Sequence, residues 1–181
     1  MRSINFHPFP KLSTERLLLR PMKIEDDKEM FSILSDKNNR QYLDAPLATS
    51  LKDAQQFIKA RIKGVADNEF IFWAISLKKN PTLIGTICLW NFSKDKLTAE
   101  LGYELATAHQ ANGYMSEAVG GVLEYGFNKL KFKTIKGYVH SENQPSKKLL
   151  KNAGFKYKSK FTEKNTYREE SYTMEVYEKN K

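Results

Sequence analysis

The apolar residues of this chain change period once within a short stretch, and that change fixes much of what it can fold into. Leu101, Tyr103 and Leu105 alternate with Glu100, Gly102 and Glu104, the period of a strand. From Met115 onward the apolar residues are Ala118, Val119, Val122, Leu123, Phe127 and Leu130, at helical spacing. Between them lies a polar loop, Gln110-Ala111-Asn112-Gly113. A second strand is expected at Thr134–His140. A strand, a helix and a strand in this order imply a crossover that lays the two strands side by side in parallel. The helix starts at the loop, so its first backbone N–H groups lack carbonyl partners and its dipole points its positive end outward. Such an end receives phosphate or pyrophosphate.

The common phosphate-binding motifs do not fit. A Walker loop needs GxxxxGK[ST], and no lysine follows Gly113. A dinucleotide fingerprint needs GxGxxG, and only Gly113 is present. What stands here is Gln110-x-x-Gly113-x-Met115. Downstream come His140-Ser141-Glu142-Asn143-Gln144-Pro145-Ser146 and then Ala153-Gly154-Phe155. Near the start is Thr14-Glu15-Arg16-Leu17-Leu18-Leu19-Arg20-Pro21.

Together these three segments resemble the GNAT superfamily of N-acetyltransferases. The first is similar to its Q/R-x-x-G-x-G/A pyrophosphate loop, and the second to its Asn-x-x-Ser helix start with terminal Gly-Phe. The third looks like the opening of the ribosomal-protein alanine acetyltransferase (Rim-type) branch. The resemblance covers roughly residues 12–178. It implies an α/β (α+β) fold: a mixed, mostly antiparallel twisted sheet, helices on both faces, and one parallel strand pair that splays apart to admit the pantetheine arm. It also implies acetyl-CoA as cosubstrate and no metal. Gln110, Ala111, Asn112, Gly113, Tyr114, Met115 and Ser116 would hold the pyrophosphate. Ala111 and Met115 depart from the family's usual glycine or alanine, and neither change removes a backbone N–H. Tyr103 and Leu105 would line the cofactor, and Asn143 would bond the pantetheine.

Acetyl transfer from a thioester to an amine requires an amine free of its extra proton, a held geometry, donors for the oxyanion and a proton for the leaving thiolate. By resemblance Ser146 sits near the sulfur and can donate to it. Many family members place a tyrosine one helical turn later, where this chain has Leu150. Two carboxylates compete as general base: Glu100, on the strand that by resemblance meets the thioester, and Glu163, in the Phe161–Arg168 segment, which resembles in position a carboxylate used by some Rim-type enzymes. Asn143 and Ser146 also read as helix caps, and both glutamates as solvent-facing strand residues. The stretch Asn38–Ser50, with Tyr42 and Asp44, is expected to wall the acceptor side. The acceptor implied is a protein N-terminal α-amine. A small-molecule amine (polyamine, amino sugar or amino acid), a non-catalytic nucleic-acid-binding module and an acetyl-CoA sensor are the alternatives.

The 181 residues suit one domain, 1–181. Expected helices are Ile24–Ser35, a second opened by a Ser50/Asp53 capping box, the long helix from Met115, and Pro145–Asn152. Expected strands are Arg16–Arg20, Glu69–Leu77, Leu83–Phe92, Leu97–Leu105, Thr134–His140, Lys156–Phe161 and Ser171–Tyr177. Cys88 is the one cysteine, which excludes an internal disulfide and suits a reducing cytoplasm. It reads as a core residue. No run is long and apolar enough for a membrane span. The net charge is +9, and residues 128–181 carry 14 lysines and arginines against 6 acidic residues. That basic end suits the phosphates of coenzyme A or an acidic partner, and equally a solvated surface. No helix-turn-helix or RNP pair supports nucleic-acid binding. A monomer or homodimer is expected.

Overall fold

Alternation along the strands sends neighbouring residues to opposite faces, and here both faces are covered. Ile71, Trp73 and Ile75 enter one buried cluster, while Phe72 and Ala74 enter another. The computed structural model describes residues 3–164, 166, 167 and 170–181. Among these the strands are β1 Leu12–Ser13, β2 Leu17–Arg20, β3 Ile71–Leu77, β4 Asn80–Trp90, β5 Thr98–Leu105, β6 Thr134–His140, β7 Lys156–Lys164 and β8 Ser171–Asn180. The helices are α1 Asp27–Ser35, α2 Leu51–Ala66, α3 Tyr114–Asn128 and α4 Gln144–Asn152. The strands form one sheet in the order β1-β2-β3-β4-β5-β6-β8-β7. Only β5 and β6 pair in parallel.

The first cluster packs α3 and α4 on the sheet through Met115, Ala118, Val119, Val122, Phe127 and Leu150. Trp73 is fully buried in it and donates its indole N–H to the Pro10 carbonyl at 2.7 Å, which satisfies the one polar atom it brings in. The second cluster packs α1 and α2 on the other face through Met30, Ile33, Ala54 and Ile58. Ser50 caps α2 as expected, with reciprocal bonds to Asp53.

Several boundaries differ from the sequence reading. The β3–β4 hairpin turns at Lys78–Lys79, because Leu77 pairs directly with Asn80. A register shift after Ile75 absorbs the extra residues and lets β4 start three residues before Leu83. The β7–β8 hairpin is longer than expected at both ends, extended by cross-strand pairing out to Lys164 and Asn180. A 3-10 turn, Ile24–Asp26, precedes α1. Asp26 there is buried and paired in a two-pronged bridge to Arg20 at 2.7 and 2.9 Å.

Candidate functional site

The loop between β5 and α3 keeps its side chains tied to the protein. Gln110 donates to the Leu105 carbonyl at 3.0 Å and to Asn39 Oδ1 at 2.9 Å. Asn112 donates back to the Gln110 carbonyl at 2.8 Å. Arg16 donates to the Asn112 carbonyl at 3.0 Å, lies 4.7 Å from the Tyr114 ring and pairs with Glu117 at 2.7 Å. Glu117 also accepts from Thr14 and from the Arg16 backbone, so it pins the start of the chain to α3. Ala111 and Gly113 take positive φ, +60° and +77°. Glycine adopts that conformation freely and alanine does so at a cost of roughly 1–2 kcal/mol. The backbone N–H groups of Gly113, Tyr114, Met115 and Ser116 find no acceptor among the described residues. They stand beside the Arg16 guanidinium, so the start of α3 presents a group of N–H donors of the kind that receives a phosphate. The Met115 side chain is buried in the core, so only its backbone is available here.

β5 and β6 pair only from Thr98 to Leu101, opposite Thr134 to Gly137. Beyond that point β5 continues on β4 and β6 on β8, which opens a gap between them. Across it the Tyr103 and Ser146 hydroxyls hydrogen-bond at 2.7 Å. Burial pushes the Tyr103 phenol up to about 12, against the Ser146 hydrogen bond, which lowers it. The phenol therefore keeps its proton at neutral pH. Asn143 caps α4, accepting from the Ser146 backbone N–H at 3.1 Å. Leu150 lies in the core against Gly137, far from any proton-donor role.

Pairing carries one sheet face from Trp90 to Glu100 to Lys136, and two residues along to Tyr138 and His140. It continues to Met174 and Tyr172 on β8 and to Phe161 and Glu163 on β7. Glu100 and Glu163 thus share a face. Glu100 is partly buried and accepts from Asn91 Nδ2 at 2.6 Å. Desolvation raises its pKa, opposed by Asn91 and Lys136. Glu163 lies on strand β7, exposed, and accepts from the Tyr172 hydroxyl at 3.3 Å. The His140 ring stacks on Tyr172 at 5.5 Å and meets Tyr42 at 5.1 Å, which places Tyr42 against this sheet face. Both Asp44 oxygens accept from the Thr166 backbone N–H, and one also from its hydroxyl at 2.8 Å. Asp44 therefore ties Thr166 to the Tyr42 segment. The Cys88 thiol is pushed up to about 12 by burial, which suits a core residue and not a nucleophile.

Sequence reasoning missed Glu104. Its side chain is largely buried, and both its oxygens accept from Arg40 Nη1, at 2.7 and 3.1 Å. Desolvation raises its pKa, opposed by Arg40 and Arg61. The partner lies 64 residues away, so no local pattern marks the pair. Among the described residues no helix is long and apolar enough to cross a membrane, and no group of three or more His, Cys, Asp or Glu is placed to hold a metal ion.

A family model described as an acetyltransferase (GNAT) domain matches residues 16–156. The chain belongs to the GNAT acetyltransferase family. This GNAT enzyme is 31% identical over 147 residues to the uncharacterized N-acetyltransferase YoaA of Bacillus subtilis, covering 81% of this chain and 83% of YoaA. Its fold is shared by a Salmonella typhimurium acetyltransferase that modifies the N-terminal serine of ribosomal protein L7/L12. There the TM-score is 0.83 at 15% identity, covering 95% of this chain and 99% of that one. The microcin C7 self-immunity acetyltransferase MccE, solved with acetyl-CoA and AMP, gives 0.81 at 17% identity, covering 92% and 93%. The expected GNAT fold, with its single parallel pair, is therefore the fold of this chain. It is an N-acetyltransferase by family.

Proposed function

We propose that this GNAT enzyme moves an acetyl group from acetyl-CoA to the α-amine at a protein N-terminus by direct attack. The gap between β5 and β6 carries the reading, because it leads from the backbone N–H cradle at Gly113–Ser116 to the face that bears Glu100. That face is open. Trp90, Tyr138 and Phe161 lie on it with 46%, 37% and 37% of their surface exposed, an apolar strip suited to an extended peptide. The Salmonella typhimurium enzyme of the same fold, which modifies an N-terminal serine, supports the same acceptor class.

The cosubstrate supplies the activated acyl group. Glu100 takes the proton of the incoming ammonium, directly or through one water, and its raised pKa brings it closer to the range a base needs. Glu163 is the second carboxylate on the same face. When the carbon–sulfur bond breaks, Ser146 gives its proton to the sulfur and Tyr103 resupplies Ser146 through their 2.7 Å bond. Tyr103 thereby fills the need that Leu150 leaves open.

The test is thiol release from acetyl-CoA against peptides beginning with Ala or Ser, polyamines, amino sugars and amino acids. Peptides should give the highest kcat/KM, and a preference for a small amine would overturn the acceptor class. In the same assay Tyr103→Phe and Ser146→Ala should each lower kcat roughly 10–100-fold with little change in KM for acetyl-CoA. Because both act on one proton, the double variant should be little worse than either single one.

A further inference from the structure

Two arginines on the α1/α2 side of β5 lack the partners that a buried guanidinium normally collects. Arg20 shows what such a group collects: its terminal nitrogens donate four bonds, to both oxygens of Asp26 and to the Pro21 and Pro81 carbonyls, and only its Nε is without a partner. Arg40 is as deeply buried as Arg20, yet among the described residues only its Nη1 is bonded, to Glu104, and its Nε has no partner. Arg61 makes no hydrogen bond or ion pair with any described residue, and its Nε is fully buried. Its guanidinium is held by aromatic faces alone, 4.4 Å from Phe57 and 5.5 Å from Phe72. The two cations are close enough to repel each other, and Glu104 is the carboxylate within range of both. That leaves two positive charges against one negative, with five N–H donors on each arginine. A buried charge without a counter-ion is costly, and a carboxylate is the group that fits the guanidinium fork.

We infer that Arg61, backed by Arg40, receives an anionic group of the acceptor, a carboxylate. For a peptide acceptor this means an acidic side chain shortly after the acetylated residue. Glu104 lies on the same face of β5 as Glu100, four residues along, so the unpaired charge is on the face where the acceptor is proposed to bind. The inference rests on the proposed amine-acetyltransferase activity and deepens it. Arg61 also lines a largely apolar cleft with His7, Pro21, Met22, Ile62 and Val65, so its side chain borders open space.

The experiment uses paired peptides that begin with Ala or Ser and carry either Glu or Gln at positions 2–4. Wild type should use the Glu peptides with kcat/KM at least about tenfold higher, through KM, and high salt should shrink the difference. Arg61→Met keeps the stem and removes the charge. It should bring the two peptides to parity while leaving KM for acetyl-CoA unchanged, and Arg61→Lys should restore part of the preference. Equal use of both peptides by wild type, or an undiminished preference in Arg61→Met, would overturn the inference. If no peptide is acetylated, the acceptor class fails separately. The comparison then moves to amino acids against the amines that lack their carboxylate, where the same Arg61-dependent preference is expected and its absence rejects the carboxylate site.

Discussion

A carboxylate partly buried beside the reacting gap costs stability when it ionises. The Glu100 pKa lies above its ordinary 4.5, chiefly through desolvation, so the folded state holds its proton more tightly than the unfolded one. A raised carboxylate favours folding below its unfolded value and loses that contribution as pH rises through the folded one. Glu100→Gln should therefore melt higher than wild type at pH 7, and the gap should close as the pH is lowered into the carboxylate range. The exposed edge of Glu100 is screened by solvent, so the gain is small, roughly 1–2 °C in thermal scans. The same variant should lose kcat/KM and flatten its rise with pH, a trade of activity for stability. At this scale the sequence was informative where chemistry is local. The Gln110–Ser116 loop, Asn143 as a cap and Cys88 as core could all be read from neighbouring residues. Tyr103 as the partner of Ser146, and Arg40 as the partner of Glu104, depend on contacts across 43 and 64 residues, which no spacing rule reports.

Elements were legible by period and by caps, and their ends were not. The Thr134–His140 strand and the helix after Asn143 stand where alternation and the Asn cap put them. The hairpin ends moved because cross-strand pairing, not local composition, decides where a strand stops. How α4 sits on β6 was also invisible, since it depends on one missing side chain. A Cβ at Gly137 would lie 2.9 Å from both Leu150 methyl carbons, so the glycine lets α4 settle close to the strand and brings Ser146 to Tyr103. Gly137→Val should destabilise the fold by about 1–3 kcal/mol in chemical denaturation. It should also lower kcat more than it raises KM for acetyl-CoA, because the helix that carries Ser146 is displaced while the Gln110–Ser116 loop is untouched.

Over the whole molecule, charge governs encounter more than fold. With a net charge of +9 and four N–H groups waiting at the loop, the enzyme should capture an anionic cosubstrate faster at low salt. KM for acetyl-CoA should rise severalfold between roughly 0.02 and 0.3 M salt while kcat changes little; steady-state kinetics across that range, at constant pH, measures it. The parallel pair followed from the crossover, but the interleaved order β6-β8-β7 did not, because an antiparallel hairpin can join a sheet by either of its strands. That order leaves β7 as an outer strand, exposed along its whole length, with Lys156, Lys158, Lys160 and Lys164 in it. The opposite margin, β1, is only two residues long. An unpaired strand margin is a template for further strands, and like charges along it repel a second copy that approaches in register. The sheet therefore ends in a fence at one side and a stub at the other, and the enzyme can be concentrated without its strands growing into a fibre.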